Sequence, residues 1–385
     1  MEYTWGVSCP LIVLMSMDAS DALTSPEEKK IIPPLLTLYF YLTGDCNMAC
    51  RHCWIAPDFL NADTSKKALP FALFKKIVTE AKEIGLTTVK LTGGEPLIHP
   101  DIIPILRYIR DEELGVSVES NGVAMTPHIA DLIRSCKSHF ISISIDGMKQ
   151  NHEWMRGVSG SFDRASQGVR TLVETGIHPQ VIMAVAGRNK DEISSLARYA
   201  RDLGASSVKY NFITPTVRGE VMEQKGETVT VQEQIALSIW IIKELRQEIG
   251  IPLLTNIPKA FLPLSAMFGS DNTCGGCGIF TILGVLHDGT FALCGIGKNV
   301  PELCFGHAKE DNIRDIWENS RELNNLREHL PDGLKGICAR CLMKNICLGQ
   351  CIAGNYYVYN DLLAGHKFCE DAAEAGLFPE TRLYK

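Results

Sequence analysis

From about residue 35 onward, the chain alternates short apolar, β-rich runs with longer amphipathic segments. Between the runs, apolar side chains recur at the i, i+3, i+4 spacing of a helix face, as in Phe71, Phe74, Ile77 and Val78. A strand followed by a helix, repeated six times, predicts parallel strands joined by right-handed crossovers. The predicted strands span residues 35–43, 87–94, 115–122, 140–147, 179–187 and 206–215.

Two α/β folds satisfy this alternation. One is a doubly wound parallel sheet, and the other is an open, partial (β/α)6 barrel of the TIM type. In either fold the active residues are expected at the C-terminal ends of the strands. The polar residues that directly follow each predicted strand are therefore candidate site residues.

Residues 216–272 interrupt the alternation and are predicted to form a helical linker region. The polar segment RGEVMEQKGET indicates a solvated loop. The stretch 229–250 then predicts one long helix whose buried side carries Ile235, Trp240, Ile242 and Leu245. Three prolines in IPLLTNIPKAFLPL indicate a linker. The predicted organisation is an N-terminal extension (1–34), a barrel (35–215), the linker region (216–272) and a small cysteine-rich domain (273–385).

Charge and hydrophobicity limit the cellular compartments and the binding partners that the sequence favours. The 385 residues include 38 Lys and Arg against 45 Asp and Glu, a net charge of −7 that favours no nucleic-acid partner. The first apolar stretch, residues 9–17, has no basic start, contains Pro10 and precedes Asp18, so it does not resemble a signal peptide. No apolar run approaches about 18 residues. We therefore expect a cytoplasmic protein with no membrane partner.

Cysteine is the unusual feature of the composition. Disulfides are rare in a reducing compartment, so clustered cysteines there indicate metal or redox chemistry. The chain has fourteen cysteines, at positions 9, 46, 50, 53, 136, 274, 277, 294, 304, 338, 341, 347, 351 and 369.

The first cluster, CNMACRHC at residues 46–53, follows the first predicted strand. Cys46, Cys50 and Cys53 can provide three thiolates to a [4Fe–4S] cluster, one fewer than its four irons. The remaining iron would then be open to a ligand. The alternative is a zinc site that uses His52 as a fourth ligand, but His52 is adjacent to Cys53 and would need a strained chelate.

The CxxxCxxC spacing after the first strand of a β/α chain closely resembles the radical S-adenosylmethionine (SAM) enzymes. In that family the amino and carboxylate groups of SAM occupy the open iron. The second strand ends in Gly93-Gly94-Glu95, which is similar to the family's segment that holds the SAM amino group. The two glycines permit close backbone approach, and Glu95 is an acceptor for an ammonium group.

Three further positions carry residues that the resemblance assigns to SAM. Ser120 and Asn121 stand where the family contacts the ribose, and Ser144 is a polar group at the end of the fourth strand. Arg156 lies in HEWMRG, similar to the segment whose arginine pairs with the SAM carboxylate. The alternatives are ordinary strand-end turns and a solvated arginine. Asp146 and Glu119 are the candidate carboxylates for a general base.

The C-terminal cysteines follow the pattern Cys338-x2-Cys341-x5-Cys347-x3-Cys351, with Cys277 and Cys294 before it and Cys369 after it. This resembles the SPASM extension of radical SAM enzymes, which holds two auxiliary [4Fe–4S] clusters. Paired zinc sites resembling a ribbon are the alternative. By the family pattern, the first auxiliary cluster is held by Cys274, Cys277, Cys294 and Cys351, and the second by Cys338, Cys341, Cys347 and Cys369.

The resemblance implies reductive cleavage of SAM to a 5′-deoxyadenosyl radical that abstracts hydrogen from a substrate carbon. Fully thiolate-ligated auxiliary clusters favour electron transfer over substrate ligation. Most such enzymes modify peptides, and we expect a ribosomal peptide substrate that acquires a thioether or carbon–carbon crosslink or a related oxidation. The alternatives are tetrapyrrole (haem-type) biosynthesis, sulfatase-maturase-like oxidation and peptide epimerisation.

Two protein partners are also expected. The first is a reductant such as flavodoxin or ferredoxin. Residues 1–34 are too short for a leader-recognition domain, so the second is a separate leader-peptide carrier, with recognition by the barrel and its N-terminal segment as the alternative. Three cysteines stay outside the clusters: Cys136 is expected to be inert core, Cys304 is either a packed thiol or a hydrogen-atom donor, and Cys9 has no assigned role.

Overall fold

The computed structural model describes residues 32–61, 64–268 and 277–384. All six predicted strands form, as β1 Thr37–Thr43, β2 Thr88–Gly93, β3 Gly115–Ser120, β4 Ser138–Ser144, β5 Gln180–Val185 and β6 Ser207–Phe212. Four further strands follow, β7 Leu253–Thr255, β8 Ile282–Val285, β9 Thr290–Ala292 and β10 Cys304–His307. The predicted N-terminal extension lies almost entirely outside the described residues, as do Cys9 and Cys274.

These ten strands form one sheet in the order β10-β9-β8-β1-β2-β3-β4-β5-β6-β7. The eight strands β8-β1-β2-β3-β4-β5-β6-β7 run parallel to one another. Strand β9 pairs antiparallel with both β8 and β10. Strands β1 to β6 are neighbours in chain order, so right-handed crossovers carry all their helices to one face. A doubly wound sheet instead reverses its strand order at a switch point. The partial (β/α)6 TIM-type barrel is therefore confirmed.

The helices on that face alternate with the strands as the periodicity predicts. Their apolar sides pack on the strands, and the ring of Phe74 lies 4.4 Å from the ring of Phe40. Burying a side chain of this size contributes about 1.5–3 kcal/mol. The barrel helices are α1 Phe71–Lys82, α2 Ile102–Asp111, α3 Pro127–Ser135, α4 Lys149–Arg156, α5 Ser161–Glu174 and α6 Ile193–Asp202.

The region 216–272 differs from the sequence prediction in two places. Helix α7 (Arg218–Gln224) forms where a solvated loop was expected, because Met222 is buried against Met155 and Ala186. The segment predicted as a linker contains strand β7, which pairs with β6 and extends the barrel sheet. The domain boundaries themselves stay a prediction.

The long helix predicted at 229–250 forms, as α8 Val231–Trp240 and α9 Arg246–Ile249 joined by a π-helical segment, Ile241–Leu245. Its buried residues are Ser238, Ile241, Leu245 and Ile249. The predicted Ile235, Trp240 and Ile242 are only half-buried. The buried residues recur at spacings of three and four positions, so the buried stripe of a regular helical period passes through Ser238 and Ile241 and not through Trp240 and Ile242.

The cysteine-rich part packs directly on the barrel. Strand β8 pairs with β1, and Trp317 Nε1 donates to the carbonyl of Pro33 at 2.8 Å. In the described ranges no helix is long and apolar enough to cross a membrane. The remaining helices are α10 Leu264–Phe268, α11 Ile313–Asn319, α12 Arg321–His329, α13 Gly336–Ala339, α14 Lys344–Cys347, α15 Ile352–Tyr359 and α16 Lys367–Glu374.

Candidate iron–sulfur and SAM site

The first cysteine loop is anchored at the C-terminal end of β1 by Asp45. This carboxylate accepts hydrogen bonds from Ser65 Oγ at 2.9 Å and from the backbone N–H groups of Lys66 and Lys67 at 2.8 and 2.9 Å. Cys46 follows directly. The loop therefore starts from a fixed point at the strand end where the fold predicts active residues.

The three cysteines of this loop lie together. Cys46 and Cys50 are buried and pack against the half-buried Cys53. Burial raises the pKa of Cys46, and the thiols of Cys50 and Cys53 raise it further; burial likewise raises the pKa of Cys50 to about 11. Because three adjacent thiolates repel one another, a bound cation favours their deprotonated forms. This loop therefore fits an iron–sulfur cluster.

Polar groups from other elements point at the same thiols. The N–H of Met48 donates to Cys46 Sγ at 3.4 Å, and Arg156 Nη1 donates to Cys50 Sγ at 3.5 Å. Asn121 Nδ2 lies 4.0 Å from Cys46 Sγ. Donors to a ligating sulfur tune the reduction potential of a cluster.

The Gly93-Gly94-Glu95 segment lies beside the cysteine loop. A Cβ on Gly94 would collide with the carbonyl of Asp45, and Gly93 has a φ of +124°, so both positions require glycine. Glu95 accepts from Leu97 N, Ser120 Oγ and Asn121 N at 2.8–3.0 Å.

Burial raises the pKa of Glu95, although these three hydrogen bonds and Arg156 oppose the rise. Within the part of the chain that the structure describes, Glu95 makes no ion pair. A buried carboxylate of this kind is stabilised by a cation, and the ammonium group of SAM supplies one. Its role as the SAM acceptor stays a prediction that this environment fits.

Ser120 and Asn121 are brought together with Glu95, and Asn121 also reaches the cysteine loop. Asn121 Nδ2 donates to Asn47 Oδ1 at 2.6 Å and its Oδ1 accepts from Val123 N at 3.0 Å. Ser144 lies at the end of β4, and within the described ranges its side chain makes no hydrogen bond. The contacts of Ser120 and Asn121 with the SAM ribose, and the contact of Ser144 with SAM, stay predictions.

Arg156 is not the solvated arginine of the alternative interpretation. Its Nε lies 2.6 Å from Asp146 Oδ2, and both side chains are almost completely buried. Burial raises the pKa of Asp146, but Arg156 and His52 outweigh it, so this pKa is lower than usual. A paired carboxylate with a lowered pKa is a poor general base. Arg156 thus lies between Asp146 and Cys50, and its contact with the SAM carboxylate stays a prediction.

The C-terminal cysteines form two groups that follow the family pattern. In the first, burial and the thiols of Cys351 and Cys294 raise the pKa of Cys277. Burial and Cys351 likewise raise the pKa of Cys294, to about 12. Cys274, the fourth predicted member, lies outside the described residues. The structure thus brings Cys351 together with Cys277 and Cys294, which lie more than 50 positions earlier in the chain.

The second group lines one small cavity. Cys338, Cys341, Cys347 and Cys369 all contribute to its wall. The backbone N–H groups of His366 and Met343 donate to Cys338 Sγ and Cys341 Sγ, both at 3.3 Å. In the described ranges no three His, Cys, Asp or Glu side chains are arranged to hold a single metal ion. The four thiols are therefore gathered around this one cavity.

The remaining cysteines lie apart from these groups. Cys136 is buried in the main core beneath α3, with its Sγ 3.5 Å from the carbonyl of Leu132. Cys304 is half-buried and its Sγ lies 3.4 Å from the carbonyl of Gly297. Both arrangements fit packed thiols.

Two aromatic residues, of which the sequence did not single out Trp54, connect the first cysteine loop with the first C-terminal thiol group. Tyr41 and Trp54 meet edge to face at 6.3 Å, and a Cβ on Gly295 would collide with the Tyr41 ring. Trp54 follows Cys53, and Gly295 follows Cys294. The position of Trp54 directly after Cys53 was its signal in the sequence.

A larger cavity of about 360 Å³ lies between the barrel and the cysteine-rich part. The loop after β6, the start of α8, the exposed Trp54 and the buried Ile296 enclose it, with Cys294 and Cys351 in its wall. Its uncharged polar lining residues are Thr214, Thr216, Thr228, Thr230, Gln234 and Asn355.

Known proteins match most of the chain. The Radical SAM superfamily model matches residues 40–200, and the SPASM model, an iron–sulfur cluster-binding domain, matches residues 274–342. An AdoMet-dependent heme synthase from Methanosarcina barkeri is 30% identical over 346 residues, covering 85% of this chain and 94% of that protein. Mycofactocin maturase MftC from Mycolicibacterium smegmatis is 26% identical over 330 residues, covering 84% and 79%.

Among solved structures, SuiB from Streptococcus suis, bound to its precursor peptide SuiA, has a TM-score of 0.65 at 16% identity. The match covers 88% of this chain and 76% of SuiB, and it supports the fold. Together with the grouped thiols and the two family models, these relatives show that the chain belongs to the radical SAM enzymes with a SPASM domain.

Proposed function

We propose that this enzyme modifies a ribosomal peptide, forming a crosslink or a related oxidation. Its radical SAM domain binds SAM and a [4Fe–4S] cluster, and its SPASM domain binds auxiliary iron–sulfur clusters. When bound, the cluster and SAM supply one-electron cleavage of SAM to methionine and a 5′-deoxyadenosyl radical that takes hydrogen from a substrate carbon. What is proposed is the substrate and the bond formed.

The lining of the larger cavity is the observation that carries the proposal. Lys367 is the one lysine or arginine in this lining, and it is ion-paired with Asp371 at 2.7 Å. Burial lowers the pKa of His366 to about 4, so this imidazole is neutral at pH 7. Threonine, glutamine and asparagine side chains match the donors and acceptors of a peptide backbone. A tetrapyrrole with several carboxylates instead favours unpaired cations.

The residue roles follow from the two sites. Cys46, Cys50 and Cys53 would hold the SAM-binding cluster. The auxiliary clusters would be held by Cys274, Cys277, Cys294 and Cys351 and by Cys338, Cys341, Cys347 and Cys369. Around SAM, Gly93, Gly94 and Glu95 would orient the amino group, Ser120 and Asn121 the ribose, and Arg156 the carboxylate. Ser144 would be a further polar contact to SAM.

Peptides encoded next to the gene test the proposal. Incubation with SAM and a flavodoxin-type reductant should form 5′-deoxyadenosine faster when the substrate peptide is added. Each crosslink should lower the mass of the peptide by two hydrogen atoms. The variant with alanine at Cys46, Cys50 and Cys53 should leave the mass unchanged. If no neighbouring peptide changes in mass or stimulates SAM cleavage, the proposal fails.

Tetrapyrrole chemistry is the second candidate, because the heme synthase of M. barkeri matches most of the chain at 30% identity. It predicts that a haem-type porphyrin precursor, and no peptide, stimulates 5′-deoxyadenosine formation. The same assay with the porphyrin and the peptide in separate reactions distinguishes the two candidates.

Replacing Glu95 with glutamine should weaken SAM binding by roughly 10- to 100-fold, because the ammonium loses a charged acceptor worth about 1.5–3 kcal/mol. Equilibrium dialysis with labelled SAM measures the effect under anaerobic conditions. Glu83→Gln, at an exposed carboxylate beyond α1, is the matched control and should bind SAM like the wild type. Equal affinity in Glu95→Gln and the wild type would remove Glu95 from the SAM site.

A further inference from the structure

The inner face of the barrel is polar and charged. On each strand, alternate residues such as Leu38, Val89 and Ile143 point outward into the hydrophobic core. Their neighbours therefore point inward. A closed TIM barrel fills this space with branched apolar side chains. Here the inward positions include Tyr39, Lys90, Glu119, Ser142, Ser144 and Lys209.

Two of these charges neutralise each other. Lys90 Nζ lies 2.7 Å from Glu119 Oε1 and 4.6 Å from the centre of the Tyr39 ring. Burial raises the pKa of Glu119, but Lys90 outweighs this effect, so the carboxylate is ionised at neutral pH. Glu119, a candidate general base in the sequence, is therefore committed to an ion pair.

Lys209 lies on β6 and also points to the inside of the barrel, but no carboxylate of the described residues forms an ion pair with it. In the described ranges its side chain makes no hydrogen bond or ion pair. Burial lowers its pKa, Glu119 opposes this, and the charges of Lys90 and Lys259 lower it again.

Ser142 is a second group without a partner. Its side chain is 2% exposed, and within the described residues its Oγ has no hydrogen-bond partner. Ser142 on β4 pairs with Glu119 on β3. Two residues further along β4, Ser144 pairs with Ile182 on β5, and Ile182 pairs with Lys209 on β6. A buried hydroxyl left without a partner costs about 1–3 kcal/mol of stability unless a ligand or water satisfies it.

We propose that Lys209, assisted by Ser142, binds one carboxylate of the substrate inside the barrel. The inference rests on the proposed peptide function and makes it more specific: the peptide carries an aspartate or glutamate close to the modified residue. Within the described residues no ion pair neutralises Lys209, and a carboxylate is a suitable partner for such an ammonium group. The loop Ile213–Thr216 begins one residue after β6 and lines the larger cavity, so the acidic side chain enters from there.

A pair of matched probes tests the subsite without turnover. Binding of N-acetyl-glutamate N-methylamide and its glutamine counterpart to the anaerobic holoenzyme is measured by saturation-transfer NMR. The acid should bind roughly tenfold more tightly than the amide, because only the acid pairs with Lys209. Lys209→Arg should keep this preference and Lys209→Met should lose it. The matched control Lys137→Met, at an exposed lysine before β4, should behave like the wild type.

Equal binding of the two probes to the wild type, or an undiminished preference in Lys209→Met with normal iron content, would overturn the subsite. A second arm compares a dipropionate porphyrin with its dimethyl ester. A Lys209-dependent preference for the porphyrin acid alone would overturn the assignment to a peptide side chain. A Lys209-dependent preference for the glutamate probe, with neighbouring peptides left unmodified, would count against the proposed crosslinking and leave the subsite standing.

Discussion

Replacing Cys46, Cys50 and Cys53 together with alanine is expected to abolish SAM cleavage while the protein keeps about two thirds of its iron. The three thiolates are the only protein ligands proposed for the SAM-binding cluster, whereas two auxiliary clusters hold about eight of roughly twelve irons. Anaerobic assay of 5′-deoxyadenosine, together with iron analysis, measures both parts of the result.

Cys136→Ala is the matched control for this experiment. Cys136 is buried in the hydrophobic core and belongs to none of the three thiol groups, and a free buried cysteine behaves as a small apolar side chain. Its replacement should keep full iron content and SAM cleavage. Retained cleavage in the triple variant, or loss of all iron from it, would refute the role of the first cysteine loop.

Replacing Asp146 with asparagine is expected to destabilise the barrel by about 3–5 kcal/mol. The substitution leaves the buried charge of Arg156 without its partner at 2.6 Å, and a buried ion pair broken on one side costs about this much. For a domain of this size the unfolding temperature should fall by roughly 10 °C. Differential scanning calorimetry of the anaerobic holoenzyme measures the shift.

The stability that the Asp146–Arg156 pair contributes should depend on pH in one direction. Because the folded-state pKa of Asp146 is lower than usual, the pair stabilises the fold fully near neutral pH. That contribution is lost as the pH falls below about 4 toward the folded-state pKa. The difference in stability between the wild type and Asp146→Asn should therefore shrink in acid.

The matched control is Asp163→Asn, since Asp163 pairs with Lys149 at 2.5 Å on the surface, where both side chains are about 60% exposed. Exposed pairs contribute about 0–1 kcal/mol. If the two variants unfold at the same temperature, the Asp146–Arg156 pair does not stabilise the barrel as described.

The strands and the first cysteine loop could be predicted from the sequence because both depend on local pattern. Alternating runs locate the strands, and the short spacing of Cys46, Cys50 and Cys53 brings their thiols together. The grouping of Cys351 with Cys277 and Cys294 depends on tertiary folding, so spacing alone did not determine it. It was predicted from the family resemblance, and the described thiols group in that way.

The inward-facing lysines were missed for a physical reason. A strand's period of two tells which residues share a face, but it does not tell which face lines a chamber. Lys90 and Lys209 each stand between apolar neighbours, as surface lysines of a half-buried strand also do. Helix α7 was missed because it buries little more than Met222 and is otherwise polar.

Metal and sulfide analysis after anaerobic reconstitution tests the central claim, that eleven cysteines hold three [4Fe–4S] clusters. The account predicts about twelve irons and about twelve sulfides per chain, falling to about eight of each when Cys46, Cys50 and Cys53 are alanine. Two or three zinc ions per chain without sulfide would contradict it.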